Sequence, residues 1–161
     1  MSPRAARWFW GLVIAQVLFL ATWAGYHEIV RRHAPVVRLE TKPVDPRDVL
    51  RGDYMILGYK IADVPLPPNL DSGADVWVVL EKRGEHHDAV AATVARPELK
   101  PGQIAVRARR DWRGLVFGIE QFYVPEGKGQ PSFKTMEVEA AVSPAHRLYI
   151  KRLLLDGVTY P

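Results

Sequence analysis

Hydrophobic and polar positions divide this chain into two unlike parts. Between Arg7 and Glu28 runs WFWGLVIAQVLFLATWAGYH, 20 residues without a formal charge. At ~1.5 Å rise per residue, a helix of that length covers roughly the 30 Å of a bilayer's hydrocarbon. From residue 34 onward the pattern changes to short apolar runs cut by proline and glycine: VVRLE, DYMILGYKIADV, ADVWVVLEK, DAVAATVA, QIAVRAR, LVFGIEQFYV, KTMEVEAAV and HRLYIKRLLL. These runs are rich in Val, Ile and Tyr and are separated by Pro-Pro-Asn, Arg-Gly-Glu and Lys-Pro-Gly turn signals, so they read as strands. No 3.6-residue apolar period is sustained outside the first segment. The pattern therefore predicts a mainly β protein: one N-terminal transmembrane helix followed by one antiparallel β-sandwich or partly closed β-barrel.

The ends of the first segment fit a membrane span. Trp8 and Trp10 on one side, and Trp23 and Tyr26 on the other, stand where amphipathic rings prefer the headgroup level, and Arg4, Arg7, Arg31 and Arg32 bracket the whole. Only Gln16 and Thr22 are polar within it. A cleaved secretory signal is the alternative, with Arg4 and Arg7 as its n-region, but Thr22-Trp23-Ala24 makes a poor cleavage site. A buried core helix fits worse, because the segment is apolar all round. Arg4, Arg7 and the α-amino group slightly outweigh Arg31 and Arg32, which favours the N-terminus inside and the domain outside a bacterial cytoplasmic membrane.

The organisation expected is an anchor with basic flanks over 1–33 and one extracytoplasmic β domain over 34–161, enough for a single core. Four of the 22 Lys and Arg residues and one of the 18 acids fall in 1–33, leaving 18 bases against 17 acids in the domain. A nearly neutral domain offers no basic stripe, so nucleic acid is not an expected partner. The local cluster Arg107, Arg109, Arg110 and Arg113 fits a solvated face, with Ile104, Val106 and Ala108 turned inward by strand alternation. No cysteine is present, and a domain of this size can bury a core without disulfides.

Two pairings are legible. ADVWVVLEK and DAVAATVA flank Arg83 to His87, a hairpin with Gly84 near its tip. KTMEVEAAV and HRLYIKRLLL flank Ser143-Pro144-Ala145 and should be neighbours. In the first of these, Met136, Val138, Ala140 and Val142 alternate with Glu137, Glu139 and Ala141, giving one buried and one mostly wet face.

The most specific local string is Arg51-Gly52-Asp53-Tyr54-Met55-Ile56-Leu57-Gly58-Tyr59, after the turn Asp45-Pro46-Arg47-Asp48. Gly52 allows a sharp entry to a strand, and Asp53 can bond backbone N–H groups two residues on. Period two places Met55, Leu57, Tyr59 and Ile61 on one face and Tyr54 and Ile56 on the other, so both faces are apolar and the strand should be central. Here the chain resembles the GDYXXLXY family of bacterial membrane-anchored proteins: Gly52, Asp53, Tyr54, Leu57 and Tyr59 match every fixed position. The strings GIEQFYVPEGKG (118–129) and IKRLLLDG (150–157) look similar too. The resemblance implies an anchor followed by a β domain, and no reaction. On the residues alone, the motif is either a turn with a core strand or a recognition corner.

Other chemistry is sparse. Glu85-His86-His87-Asp88 puts adjacent histidines on opposite faces of a strand, which suits a solvated turn better than a metal site. Glu120 with Glu126, and Glu137 with Glu139, are carboxylate pairs without a sign of burial. A second resemblance is to signal peptidases, through Gly52-Asp53 and the segment Tyr149-Ile150-Lys151-Arg152-Leu153, which would make Lys151 a general base. Only Ser2 precedes Gly52, however, so the nucleophile box of those enzymes is missing. No catalytic residue, metal ligand or cofactor is expected.

The expected function is a non-catalytic binding or assembly module. Its partners would be the lipid bilayer and another membrane or envelope protein. Gly11 and Ala15, spaced small-xxx-small, with Gln16 beside them, give the anchor a route to self-association. The alternatives are an envelope hydrolase using Lys151 and a small-ligand-binding β domain.

Overall fold

The computed structural model describes residues 3–42, 54–112, 114–123 and 133–160, and the chain separates into two compact units, Met1–Ala34 and Pro35–Pro161. The first is one helix, α1 (Pro3–Arg32). Proline in the first turn forfeits no intrahelical hydrogen bond, and Arg31 and Arg32 in the last turn complement the dipole. Both arginines also meet Glu28, each at 2.7 Å. Its stretch Arg7–Arg32 is long and apolar enough to cross a membrane. Leu12, Ile14, Leu18 and Leu20 project to different sides of the helix, and each is about half exposed or more.

The second unit holds the strands β1 (Val36–Lys42), β2 (Tyr54–Ile56), β3 (Gly58–Tyr59), β4 (Asp75–Arg83), β5 (His86–Thr93), β6 (Gln103–Asp111), β7 (Gly114–Val116), β8 (Gln121–Tyr123), β9 (Met136–Val142), β10 (Leu148–Leu155) and β11 (Val158–Tyr160). All pairings are antiparallel. One sheet runs β11-β10-β9-β1-β3, a second runs β5-β4-β6-β7, and β2 with β8 forms a separate ribbon. The protein is therefore mainly β after its N-terminal helix.

Alternation explains the core. Val37 and Leu39 of β1, Val138 of β9 and Leu153 of β10 in one sheet, and Val76, Val78 and Leu80 of β4 and Val106 of β6 in the other, are fully buried in a common cluster. The wet face predicted for β9 is partly covered: Ala141 is fully buried, while Glu137 and Glu139 are half-buried.

Two seams join the sheets. Between Val36 and Glu40, β1 pairs only with β9, and the backbone N–H of Arg38 on its other edge donates to Nδ1 of His87 in β5 (3.3 Å). At the other seam the N–H of Arg107, where β6 has not yet met β7, donates to the carbonyl of His146 in the β9–β10 turn (2.7 Å). These links satisfy strand-edge groups that would otherwise face the core margin unpaired.

The β4–β5 hairpin turns on Gly84-Glu85, with Arg83 opposite His86 and Gly84 at φ +65°, which agrees with the predicted tip. Two predicted runs are cut differently. DYMILGYKIADV is not one strand: β2 pairs with β8, β3 pairs with β1, and Lys60–Asp63 is a 3-10 turn. LVFGIEQFYV is split in the same way into β7 and β8, with Gly118 at φ +83° between them. Strand β11 lies outside the predicted runs, although Asp156-Gly157 is a strong hairpin signal; both residues have positive φ, +49° and +79°.

Candidate functional site

The residues of the predicted motif do not share one environment. Gly52 and Asp53 lie outside the described residues. Tyr54 opens β2 and pairs in register with Tyr123, followed by Met55 with Phe122 and Ile56 with Gln121. Leu57 continues the ladder by donating its N–H to the Glu120 carbonyl at 2.7 Å, and its side chain is buried. After Leu57 the chain changes partners, so that Gly58 pairs with Lys42 and Tyr59 with Thr41 of β1, and the Tyr59 ring turns into the core, 2% exposed.

The Tyr59 hydroxyl donates to the Ile119 carbonyl at 2.7 Å. A buried phenol with a single backbone acceptor is a satisfied core group, and burial together with the charge of Glu120 pushes its pKa far up. Glu120 in turn organises the opposite segment: its carboxylate accepts the N–H of Phe117 (2.5 Å) and of Gly118 (2.8 Å), closing the bend into β8. Sequence reasoning weighed Glu120 only as half of a carboxylate pair and missed this role. A Gly at 118 and a carboxylate two residues on are the local signal for it.

The strings 52–59 and 118–129 therefore meet where they are described, and Ile150 of the string 150–157 lies beside the second of them. Beyond the β2–β8 ribbon, Ile119 and Phe122 join Leu148, Tyr149 and Ile150 of β10 in lining an open groove of about 380 Å3. The motif residues Leu57 and Tyr59 brace its wall from within the core.

The family model of the GDYXXLXY protein matches residues 16–153. The chain belongs to the GDYXXLXY family. The match runs from within α1 to the buried Leu153 of β10, so it takes in the ribbon, the groove and both seams. No curated protein and no solved structure matches the chain.

The predicted Lys151, and the histidine His146, fall elsewhere in this GDYXXLXY domain. Lys151 is exposed where the register of β9 and β10 shifts between Ile150 and Arg152. His146 directs Nδ1 to the Ala105 carbonyl (3.1 Å) and Nε2 to Arg96 (3.4 Å). Neither meets a serine or carboxylate among the described residues. No group of three or more His, Cys, Asp or Glu residues that could hold a metal is found among them either.

Of the Glu85–Asp88 string only Glu85 lies in a solvated turn, and His86, His87 and Asp88 belong to β5. His86 Nε2 donates to Glu137 at 3.0 Å, the Arg38 guanidinium bonds the same carboxylate at 2.6 Å and Glu85 at 3.0 Å, and His87 is buried. Burial raises the Glu137 carboxyl, but the bonds from His86 and Arg38 outweigh it and hold the group below its usual 4.5. His87 is held below 6.5 by burial and then by the charge of Lys82, and protonation of Nδ1 would also remove the acceptor for Arg38 N–H.

The sign of the resulting pH effect is the same for both groups. Each has a folded-state pKa below its unfolded value, so its contribution is complete above the unfolded value and is lost as pH falls. The domain should begin to lose stability below pH 6.5 through His87 and lose more below 4.5 through Glu137. Urea denaturation of the full chain in detergent between pH 8 and 4 measures this. His87→Asn, which keeps an acceptor at the Nδ1 position without titrating, should flatten the upper step alone.

Proposed function

We propose that this is a single-pass protein of the bacterial cytoplasmic membrane whose extracytoplasmic β domain binds another membrane or envelope protein and carries out no reaction itself. The observation that carries this reading is an open groove lined by Ile119 and Phe122 of one family string and by Leu148, Tyr149 and Ile150 of β10, with Leu57 and Tyr59 of the motif bonded to the segment behind it. Such an arrangement builds a surface, whereas general acid–base work requires a base held against the group it serves. His146 is engaged with a carbonyl and a guanidinium, and Lys151 projects from a bulge. The near-neutral domain and the apolar α1 support an anchored adaptor, and the anchor's small-xxx-small face offers self-association as a second contact.

The test is photocrosslinking in native membranes from a reactive residue placed at Gln121, which is exposed on the groove rim, followed by mass spectrometry. The expected product is an adduct with one distinct membrane or envelope protein. Recovery of the monomer alone would refute the proposal.

A further inference from the structure

A second surface stands on the outer side of β4 and β6, and none of its residues belongs to the motif. Trp77 alternates with the buried Val76 and Val78, so its half-buried ring faces outward. Two guanidinium carbons stand over that ring, Arg96 at 5.8 Å and Arg107 at 5.7 Å from its centroid, and the His146 ring meets it edge-on at 5.1 Å. Both arginines are within the range at which an indole face attracts a cation.

The two arginines differ in what they have left to offer. Arg107 is neutralised by Asp75 at 2.6 Å and lies across from Trp77 in the β4–β6 register. Arg96 is exposed and has no carboxylate partner among the described residues; its polar contact there is with His146 Nε2 at 3.4 Å. The Ala105 carbonyl can only accept, so His146 Nδ1 must donate to it, which leaves Nε2 as the atom facing Arg96. The guanidinium thus lies over the indole ring and is held at one N–H, with no other partner among the described residues. That is a planar fork ordered in advance for a carboxylate.

We propose that this Trp77 face is a docking surface for an acidic segment of a protein partner, in which a carboxylate is received by Arg96 and the Trp77 ring is the anchor beside it. Tryptophan and arginine are the side chains most enriched where a few residues carry most of a binding energy. Charge complementarity favours this occupant: the cluster holds two guanidiniums against the single carboxylate of Asp75. A domain with a balance of +1 has no extended positive field for adsorption to anionic lipid, whereas one ordered fork beside an indole suits a single Asp or Glu side chain.

The inference rests on the binding-module reading but uses a different face from the groove. The test is titration of the full chain in maltoside micelles with blocked hexaglutamate, read from the 15N indole signal of Trp77 as identified by its loss in Trp77→Phe. A saturable shift is expected, weakened about 10- to 100-fold in Arg96→Ala, as loss of a hydrogen bond to a charged group implies. Arg96→Lys, which retains charge without the fork, should lie between. The proposal is overturned by no shift, by an equal affinity in Arg96→Ala, by an equal response to hexalysine, or by inorganic phosphate or phosphatidylglycerol vesicles displacing the peptide at equal concentration. Crosslinking from Gln121 reports on the groove separately, so either result can fail without the other.

Discussion

Leu57→Ala should destabilise the β domain by about 2–5 kcal/mol, the range for truncating a buried leucine where the surroundings collapse only partly. Leu57 is 1% exposed and stands where the chain leaves the β2–β8 ribbon for the five-stranded sheet, with its N–H fixed on the Glu120 carbonyl. Tyr59→Phe keeps the ring and removes only the bond to the Ile119 carbonyl, so its cost should be near 1 kcal/mol. Urea denaturation of the full chain in detergent, read by near-ultraviolet circular dichroism, measures both. The comparison separates two roles for the motif. If Leu57 and Tyr59 brace the groove from within, the losses appear in stability, and crosslinking from Gln121 falls only as far as the folded fraction does. If either side chain makes the partner contact itself, crosslinking disappears while the denaturation midpoint stays in place.

Much of this fold is legible along the chain, and the failures share one cause. The runs that became β1, β4, β6 and β9 each keep a single sheet environment from end to end, so period-two alternation reports their faces correctly. Val37 and Leu39, or Val76 and Val78, are buried where the pattern places them. The motif run and the run LVFGIEQFYV change partner midway, at Leu57 and at Gly118, and continuous apolar character conceals the break. Periodicity measures burial and not which strand lies alongside, so a segment handed from one sheet to another reads as one long central strand. The same limit hides the candidate surfaces. Tyr59 reaches Ile119 across 60 residues, and Trp77 meets Arg96 and His146 from separate loops, so no local spacing announces either contact. His87 was legible as a histidine on a strand face, but the gap that it fills beside β1 is set by how short β3 is.

The second large effect concerns α1. Apolar side chains on all its sides are exposed, and the helix carries no charge from Trp8 to His27, so lipid is the solvent that the segment suits. Leu18 lies near the middle of that span, and Leu18→Arg places a guanidinium where the cost of insertion is about 2.5–3.5 kcal/mol. That corresponds to roughly a 70- to 400-fold shift in the insertion equilibrium. The fraction of full-length chain retained in membranes after alkaline carbonate extraction should fall accordingly, whereas Gln16→Leu, which removes the most polar group within the span, should leave retention unchanged or raise it. The intact mass of the membrane-bound product adds a second discriminator. A retained anchor gives the full 18.2 kDa chain, and a cleaved signal gives a species shortened from the N-terminus that carbonate releases. Only the first result keeps the β domain tethered, and only then do its groove and its Trp77 face meet partners confined to the plane of the same membrane, where a shared surface raises their effective concentration and modest contacts suffice.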